Sequence, residues 1–456
     1  MQLRDYKHIY MIGIGGISMS GLAMILRSWH FLVSGSDQVA SKVTDDLIKN
    51  GIAVFIGQKK ENITDDIDLV VYTAAIKEDN EEFRAAKEKG ILMLERGAFL
   101  GELTRLFPKT IGISGTHGKT TTTGMVASIF LAAKKDPTIQ IGAYFDLLEA
   151  NYRVGKSPYF IIEACEYADS FLSFQEESAI VLNIDNDHLD YFKNMENMQQ
   201  SYQKYVASLP SNGVLVINKE DERCILLQDY TNANVVTVGR ENANWTYDHV
   251  SYDLDGYPSF GLYHEGKYQR RISLHVTGEY NILNSLCAIA LCSFYQISLE
   301  DIQKGLDAFK GTSRRMEYKG VFRGASLYDD YAHHPTEVKK TAEGILKKHF
   351  HESWVIFECH SYSRLKNYLH EFATSLSLFD HIIITDIFPA REKDIYGVHE
   401  SDLQAELERL HKEVCYIKTY EDIKNYLIAN VQQNDIIITM GAGKITALAT
   451  YLLGGK

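Results

Sequence analysis

Residues 111–124 read IGISGTHGKTTTTG: a short apolar run, a glycine-containing turn, then a lysine and a run of threonines. The apolar run Thr110 to Ser114 predicts a buried strand, and Lys119-Thr120 the first turn of a helix. A strand–turn–helix of this kind aims successive backbone N–H groups at an anion, and the helix N-terminus adds partial positive charge. Lys119 supplies a mobile cation for β- and γ-phosphates, and the Thr120 hydroxyl a magnesium ligand. The general phosphate-loop pattern asks for glycine five places before Gly118, and here that place holds Ile113. The loop is therefore a variant. A glycine turn beside a chance lysine is the bland alternative.

Outward from this loop, β-branched runs alternate with helix-length segments almost from end to end. Predicted strands include 9–14, 31–34, 69–73, 159–163, 179–184, 214–218, 354–358, 381–385 and 435–440. Several are almost wholly apolar, the mark of parallel strands covered on both faces, and the alternation predicts doubly wound α/β domains. The Tyr- and Gly-rich segment Asn244 to His275 reads instead as an antiparallel insert or edge. A chain of 456 residues suggests about three domains. Breaks near Phe107-Pro108-Lys109 and Gly311-Thr312-Ser313 divide it into 1–107, 108–310 and 311–456. Glycines end a strand in each: Gly13, Gly115 and Gly441.

Composition narrows the class. Forty-seven basic against 60 acidic side chains give a formal charge of −13, which argues against general attraction to nucleic acid or an anionic membrane. No apolar run approaches bilayer length, and the first ten residues lack a signal-peptide layout. Six scattered cysteines without a C-x-x-C pair read as reduced thiols, so a cytoplasmic protein is expected.

Polar residues at the ends of apolar strands mark the other candidate sites, because ligands in α/β sheets sit at the carboxyl ends of strands. Glu163 ends one such run, and Asp187-His188 come after another. With Thr120 they form an oxygen and nitrogen set suited to magnesium, with plain strand-end hydrogen bonds as the alternative. Near the N-terminus, IGIGGISMSG (12–21) comes after a strand and Asp37 ends the next. Gly13 and Gly15 permit close approach of a pyrophosphate, and Asp37 stands where a ribose-binding acid would. Ser18 occupies the third glycine position, so this loop alone fits a nicotinamide dinucleotide and a sugar nucleotide equally. Asn281 and Asn284 share a face at the start of a predicted helix, 277–295, where capping is the ordinary role of asparagine.

Taken together, these strings resemble the Mur ligases. Gly115-Thr116-His117-Gly118-Lys119-Thr120-Thr121 is similar to their ATP loop, and G-T-S-R-R (311–315) and D-D-Y-A-H-H-P-T-E (329–337) to two further signatures. The resemblance runs through all three domains. It implies a Rossmann-like N-terminal domain, a central phosphate-loop ATPase-like domain and a Rossmann-like C-terminal domain. The implied activity is that of ligases which phosphorylate a carboxylate with ATP, with magnesium, and let an amine displace phosphate.

The resemblance also implies site residues. Thr120, Glu163 and His188 would hold metal, while Asn281 lies near adenine, Arg315 near phosphate, Asp330 near ribose and His333 near the reacting centre. Lys119, His333 and Arg364 would be catalytic, and Arg391 falls on a position for the sugar nucleotide. Tyr280 replaces a family histidine, Ser361 a family arginine, and Cys165 departs from E-A-D-E. The start, with Gly13, Gly15, Gly16 and Ser18, and Thr73-Ala74-Ala75-Ile76 with Asn80, resemble the branch that joins L-alanine to UDP-N-acetylmuramate. A ligase that recycles a tripeptide onto the same sugar nucleotide is the nearest alternative. A dehydrogenase using the first glycine loop would leave GTHGKTTTT and HHP unexplained, and a non-catalytic nucleotide-binding regulator is excluded if phosphate is released only with all substrates present.

Overall fold

The computed structural model describes residues 3–390 and 392–455, with the side chains of Arg4, Leu189 and Asp190 left aside. Three sheets succeed one another along the chain. The first contains β1 (His8–Ile12), β2 (Leu32–Asp37), β3 (Ala53–Ile56), β4 (Leu69–Tyr72) and β5 (Leu92–Glu95), in the order β3-β2-β1-β4-β5. All its pairings are parallel. The order reverses direction beside β1, so a crevice opens at the carboxyl ends of β1 and β4, where ligands of such sheets bind.

The second sheet begins with β6 (Lys109–Ser114), β7 (Thr138–Phe145), β8 (Ala150–Arg153), β9 (Tyr159–Glu163), β10 (Ser178–Val181), β11 (Val214–Asn218) and β12 (Asn234–Gly239). These run β12-β11-β10-β6-β9-β7-β8, parallel except for β8. Continuous apolar sequence places β6 and β10 at the centre, buried along their length or nearly so. The Tyr- and Gly-rich segment forms β13 (Trp245–Tyr252), β14 (Pro258–His264) and β15 (Lys267–Ser273). Its first residues pair in parallel with β12, at Val238↔Trp245, so the antiparallel reading does not hold there.

The third sheet contains β16 (Glu317–Phe322), β17 (Ala325–Asp330), β18 (Ser353–Phe357), β19 (His381–Ile384), β20 (Val414–Tyr416) and β21 (Ile436–Met440), in the order β16-β17-β21-β18-β19-β20. Only β16 is antiparallel.

The predicted strands all form: 159–163 and 214–218 with the ends expected, the others with at least one end shifted by one to three residues. Residues such as Ile14 and Ile184 are buried without laddering, because apolar character marks burial and not backbone pairing. By packing, the chain divides into two compact units: Met1–Thr246 with Tyr263–Tyr268 and Asn284–Phe309, and the remainder, Tyr247–Leu262, Gln269–Leu283 and Lys310–Lys456. Among the described residues no helix is long and apolar enough to cross a membrane.

Candidate active site

In the first unit the phosphate loop lies between the end of β6 and the helix Lys119–Ala132. Gly118 caps that helix with φ 87°, a left-handed conformation open to glycine, and a Cβ there would press on Asn284. The loop is clamped to the segment that follows β10: Asn183 Oδ1 accepts from His117 N (2.8 Å), and Thr116 Oγ1 from Asp185 N (2.9 Å). His117 Nε2 stands 3.0 Å from Asp185 Oδ2.

Lys119 folds back on its own loop, donating to the carbonyls of Gly115 (2.5 Å) and Thr116 (3.1 Å) and to both Glu166 oxygens (3.1 and 2.9 Å). Burial works against the charge on Lys119, and the facing Glu166 carboxylate more than offsets this, leaving the ammonium above its ordinary range. Thr120 Oγ1 donates to Glu163 Oε2 (3.1 Å), whose other oxygen accepts from Gly142 N (2.6 Å). His188, at φ 56°, brings Nε2 to 3.6 Å from Glu166 Oε1 and packs near the Tyr167 ring. Thr121, in the first turn of the same helix, is buried. The cluster thus joins Lys119, Thr120, Glu163 and His188 as expected. It adds Glu166, three residues beyond Glu163 and fully buried, which the motif reading passes over.

At the first sheet, Gly13 turns the chain with φ 82°; its N–H and that of Ile14 both donate to the Ser36 carbonyl (2.8 and 2.9 Å). Asp37 Oδ2 accepts from Gly15 N (3.0 Å), so the expected ribose acid also fastens the glycine turn. Gly16 N closes the turn onto Gly13 O (3.2 Å). Ser18 Oγ accepts from Gln140 Nε2 (3.0 Å) and Arg96 Nη1 (3.3 Å). Thr73 comes directly after β4 and lies beside Gly13, where a glycine Cβ would meet its methyl group.

The second unit holds the remaining candidates. Asp330 ends β17, buried, accepting from Ala332 N (2.7 Å), Met316 N (3.0 Å) and Thr341 Oγ1 (3.4 Å). Burial raises its pKa to about 6, against the pull of Arg315. Arg315 lies 3.6 Å from Glu337 and over the Tyr331 ring. His333 Nδ1 sits 3.0 Å from the Tyr331 carbonyl and 3.2 Å from Glu337. Arg364 Nη1 donates to the His360 carbonyl (2.7 Å), and the His360 ring packs edge-on to His333 at 5.8 Å. Burial, with His333 and Arg364 nearby, lowers the His360 pKa to about 4. His360 is a second residue that sequence reading misses. Asn281 Nδ2 donates to Thr277 O (2.7 Å) at the start of the helix Tyr280–Phe294, a local tie of the kind asparagine makes at helix starts. Arg391 lies outside the described residues.

A phosphate loop with a buried cation and adjoining carboxylates, on a largely parallel sheet that has another α/β sheet before it and another after it in the chain, defines a nucleotide-using α/β enzyme of three domains. The chain belongs to the Mur ligase family and is a ligase: models of that family match residues 8–108 (catalytic domain), 113–292 (middle domain) and 314–443 (glutamate ligase domain). It is 44% identical to a UDP-N-acetylmuramate--L-alanine ligase of Lachnoclostridium phytofermentans, over 98% of this chain and 97% of that one. It is 45% identical to its counterpart in Lachnospira eligens, over 98% of both. The crystal structure of UDP-N-acetylmuramate-alanine ligase from Thermotoga maritima superposes with a TM-score of 0.84 at 28% identity, covering 98% of each chain.

Proposed function

We propose that this protein joins L-alanine to UDP-N-acetylmuramate with ATP, giving UDP-N-acetylmuramoyl-L-alanine, ADP and phosphate. The observation that carries the reading is the Lys119–Thr120 helix start beside Glu163 and Glu166, in a chain 44% identical to a ligase of that name. A muramate carboxylate oxygen attacks the γ-phosphorus, the bond to the β-bridging oxygen breaks, and ADP leaves. The alanine amine then attacks the acyl carbon, phosphate departs with its oxygen, and the amine loses a proton.

Lys119 neutralises charge on the transferring phosphoryl group, the dominant device in such transfers. The Thr120 hydroxyl and Glu163 carboxylate form an adjoining oxygen pair of the kind a hard divalent cation takes, with the His188 imidazole close to Glu166. Magnesium held there would neutralise phosphate oxygens. Arg315, Asp330 and Asn281 are assigned to ATP, His333 and Arg364 to the reacting carboxylate. Gly13, Gly15, Gly16, Ser18, Asp37, Thr73 and Arg391 are assigned to the sugar nucleotide. The corresponding domains are 1–107 for UDP-sugar, 108–310 for ATP and 311–456 for ligation. An ADP-release assay with UDP-N-acetylmuramate and amines from glycine to a tripeptide tests the reading: turnover fastest with L-alanine supports it, and turnover fastest with the tripeptide transfers it to peptide recycling.

A further inference from the structure

Behind the glycine turn of the first sheet lies a buried carboxyl group that no part of the ligation chemistry uses. Glu82, fully buried near the start of the helix Glu81–Glu88, accepts from Tyr10 Oη (2.8 Å) and Asn62 Nδ2 (2.6 Å) on one oxygen, and from Ser36 Oγ (2.5 Å) on the other. All three donors are neutral, and burial raises the Glu82 pKa above the ordinary carboxylate range. A buried acid is costly to keep without a use, and hydrophobic replacement is often neutral or better.

Two of these three contacts lead to the candidate sugar-nucleotide site. Ser36, held by Glu82 through its hydroxyl, offers its carbonyl to both Gly13 N and Ile14 N, which defines the turn. Asn62 also donates to Gly57 O (3.0 Å), and Gly57 N in turn donates to the Asp37 carbonyl (2.8 Å). One carboxyl group therefore fastens the residue under the glycine turn and, through Asn62 and Gly57, the backbone of Asp37. Tyr10, in the middle of β1, stands against Ser36 and Asn62 as well as Glu82, and its ring stacks on Phe55, the strand neighbour of Ser36.

We propose that Glu82 is a positioning residue for the sugar nucleotide, holding the Gly13–Ile14 turn and Asp37 in the geometry that receives a pyrophosphate and ribose. This rests on the assignment of the first sheet to the UDP portion. Displacement of such a turn by a fraction of an ångström weakens several backbone contacts at once, so the effect falls on sugar-nucleotide affinity and not on the ATP side.

The test measures UDP binding by calorimetry, and KM for UDP-N-acetylmuramate and for ATP, in the full chain and in Glu82→Ala, Glu82→Gln and Ser36→Ala. Glu82→Ala and Ser36→Ala are expected to weaken UDP binding about tenfold or more, with KM for ATP unchanged. Glu82→Gln, which keeps one acceptor and the shape, recovers part of the loss. If Glu82→Ala does not fold, Ser36→Ala carries the test alone. Wild-type UDP affinity in folded Glu82→Ala or Ser36→Ala, or a rise in KM for ATP equal to the rise for UDP-N-acetylmuramate, overturns the proposal. Failure of the unaltered chain to bind UDP overturns instead the assignment on which it rests.

Discussion

The ammonium of Lys119 lies 2.9 Å from the fully buried carboxylate of Glu166, so the loop cation expected to meet phosphate is held by an internal counter-ion. Lys119→Ala alone therefore does more than remove a catalytic charge: it leaves the buried Glu166 without its ammonium partner and with only the His188 imidazole, 3.6 Å away, beside it, at a cost of up to roughly 3–5 kcal/mol of stability. The double variant Lys119→Ala/Glu166→Gln separates the two effects. It is expected to melt closer to the unaltered protein than Lys119→Ala does, and to form ADP about 10³-fold more slowly than the unaltered protein. Thermal melts and ADP release on the same preparations check both halves. Near-normal turnover in the folded double variant would remove Lys119 from the chemistry.

A second prediction concerns pH. Burial lifts the Glu176 pKa to about 8, against an ordinary 4.5, with Tyr205 Oη donating to one oxygen. The carboxyl fills the space left by Gly112 in the middle of β6, where a Cβ would collide with it. Because the folded-state pKa is raised, the neutral acid is the native form. Its contribution is complete below pH 4.5 and is lost as pH rises through about 8, by at most about 1.4 kcal/mol per pH unit. Urea midpoints between about pH 5 and 9 should fall with rising pH, and Glu176→Gln should flatten that slope. An unchanged slope in the variant would locate the pH dependence elsewhere.

Much of this arrangement is legible in the sequence, for reasons that particular residues make plain. Strands such as 159–163 and 214–218 form as read because buried parallel strands demand continuous apolar side chains, and the Gly118-Lys119-Thr120 turn because few local sequences suit that backbone. Glu163 and His188 are visible as polar residues ending apolar runs. Glu166 stands three positions past Glu163 in E-A-C-E, but nothing local distinguishes a buried counter-ion from a surface acid. That role depends on Lys119, 47 residues away in sequence. His360 and Glu82 are hidden for the same reason: their partners Phe388 and Tyr10 come from distant strands and loops. Asp37 reads in sequence as a ligand group, and its bond to Gly15 N shows that one acid also builds the turn beside it.

The Thr120–Glu163 pair carries a prediction about metal. Glu163→Ala should raise the magnesium concentration needed for half-maximal ADP formation and lower the maximum, and His188→Ala should act in the same direction. Glu163 also accepts from Gly142 N, so a purely structural role predicts a lower melting temperature with an unchanged magnesium curve. Titration of magnesium at a temperature where each variant is folded distinguishes the two.

The central claim is the identity of the amine. ADP release measured with ATP, magnesium and UDP-N-acetylmuramate, against equal concentrations of L-alanine, glycine, L-serine and the tripeptide L-alanyl-D-glutamyl-diaminopimelate, tests it most directly. L-Alanine should give the fastest turnover. Glycine should trail by about tenfold or more, since a methyl group in a pocket is worth roughly 1–3 kcal/mol. The tripeptide should be inert. Faster ADP release with the tripeptide than with L-alanine, or release with no dependence on UDP-N-acetylmuramate, would contradict the account.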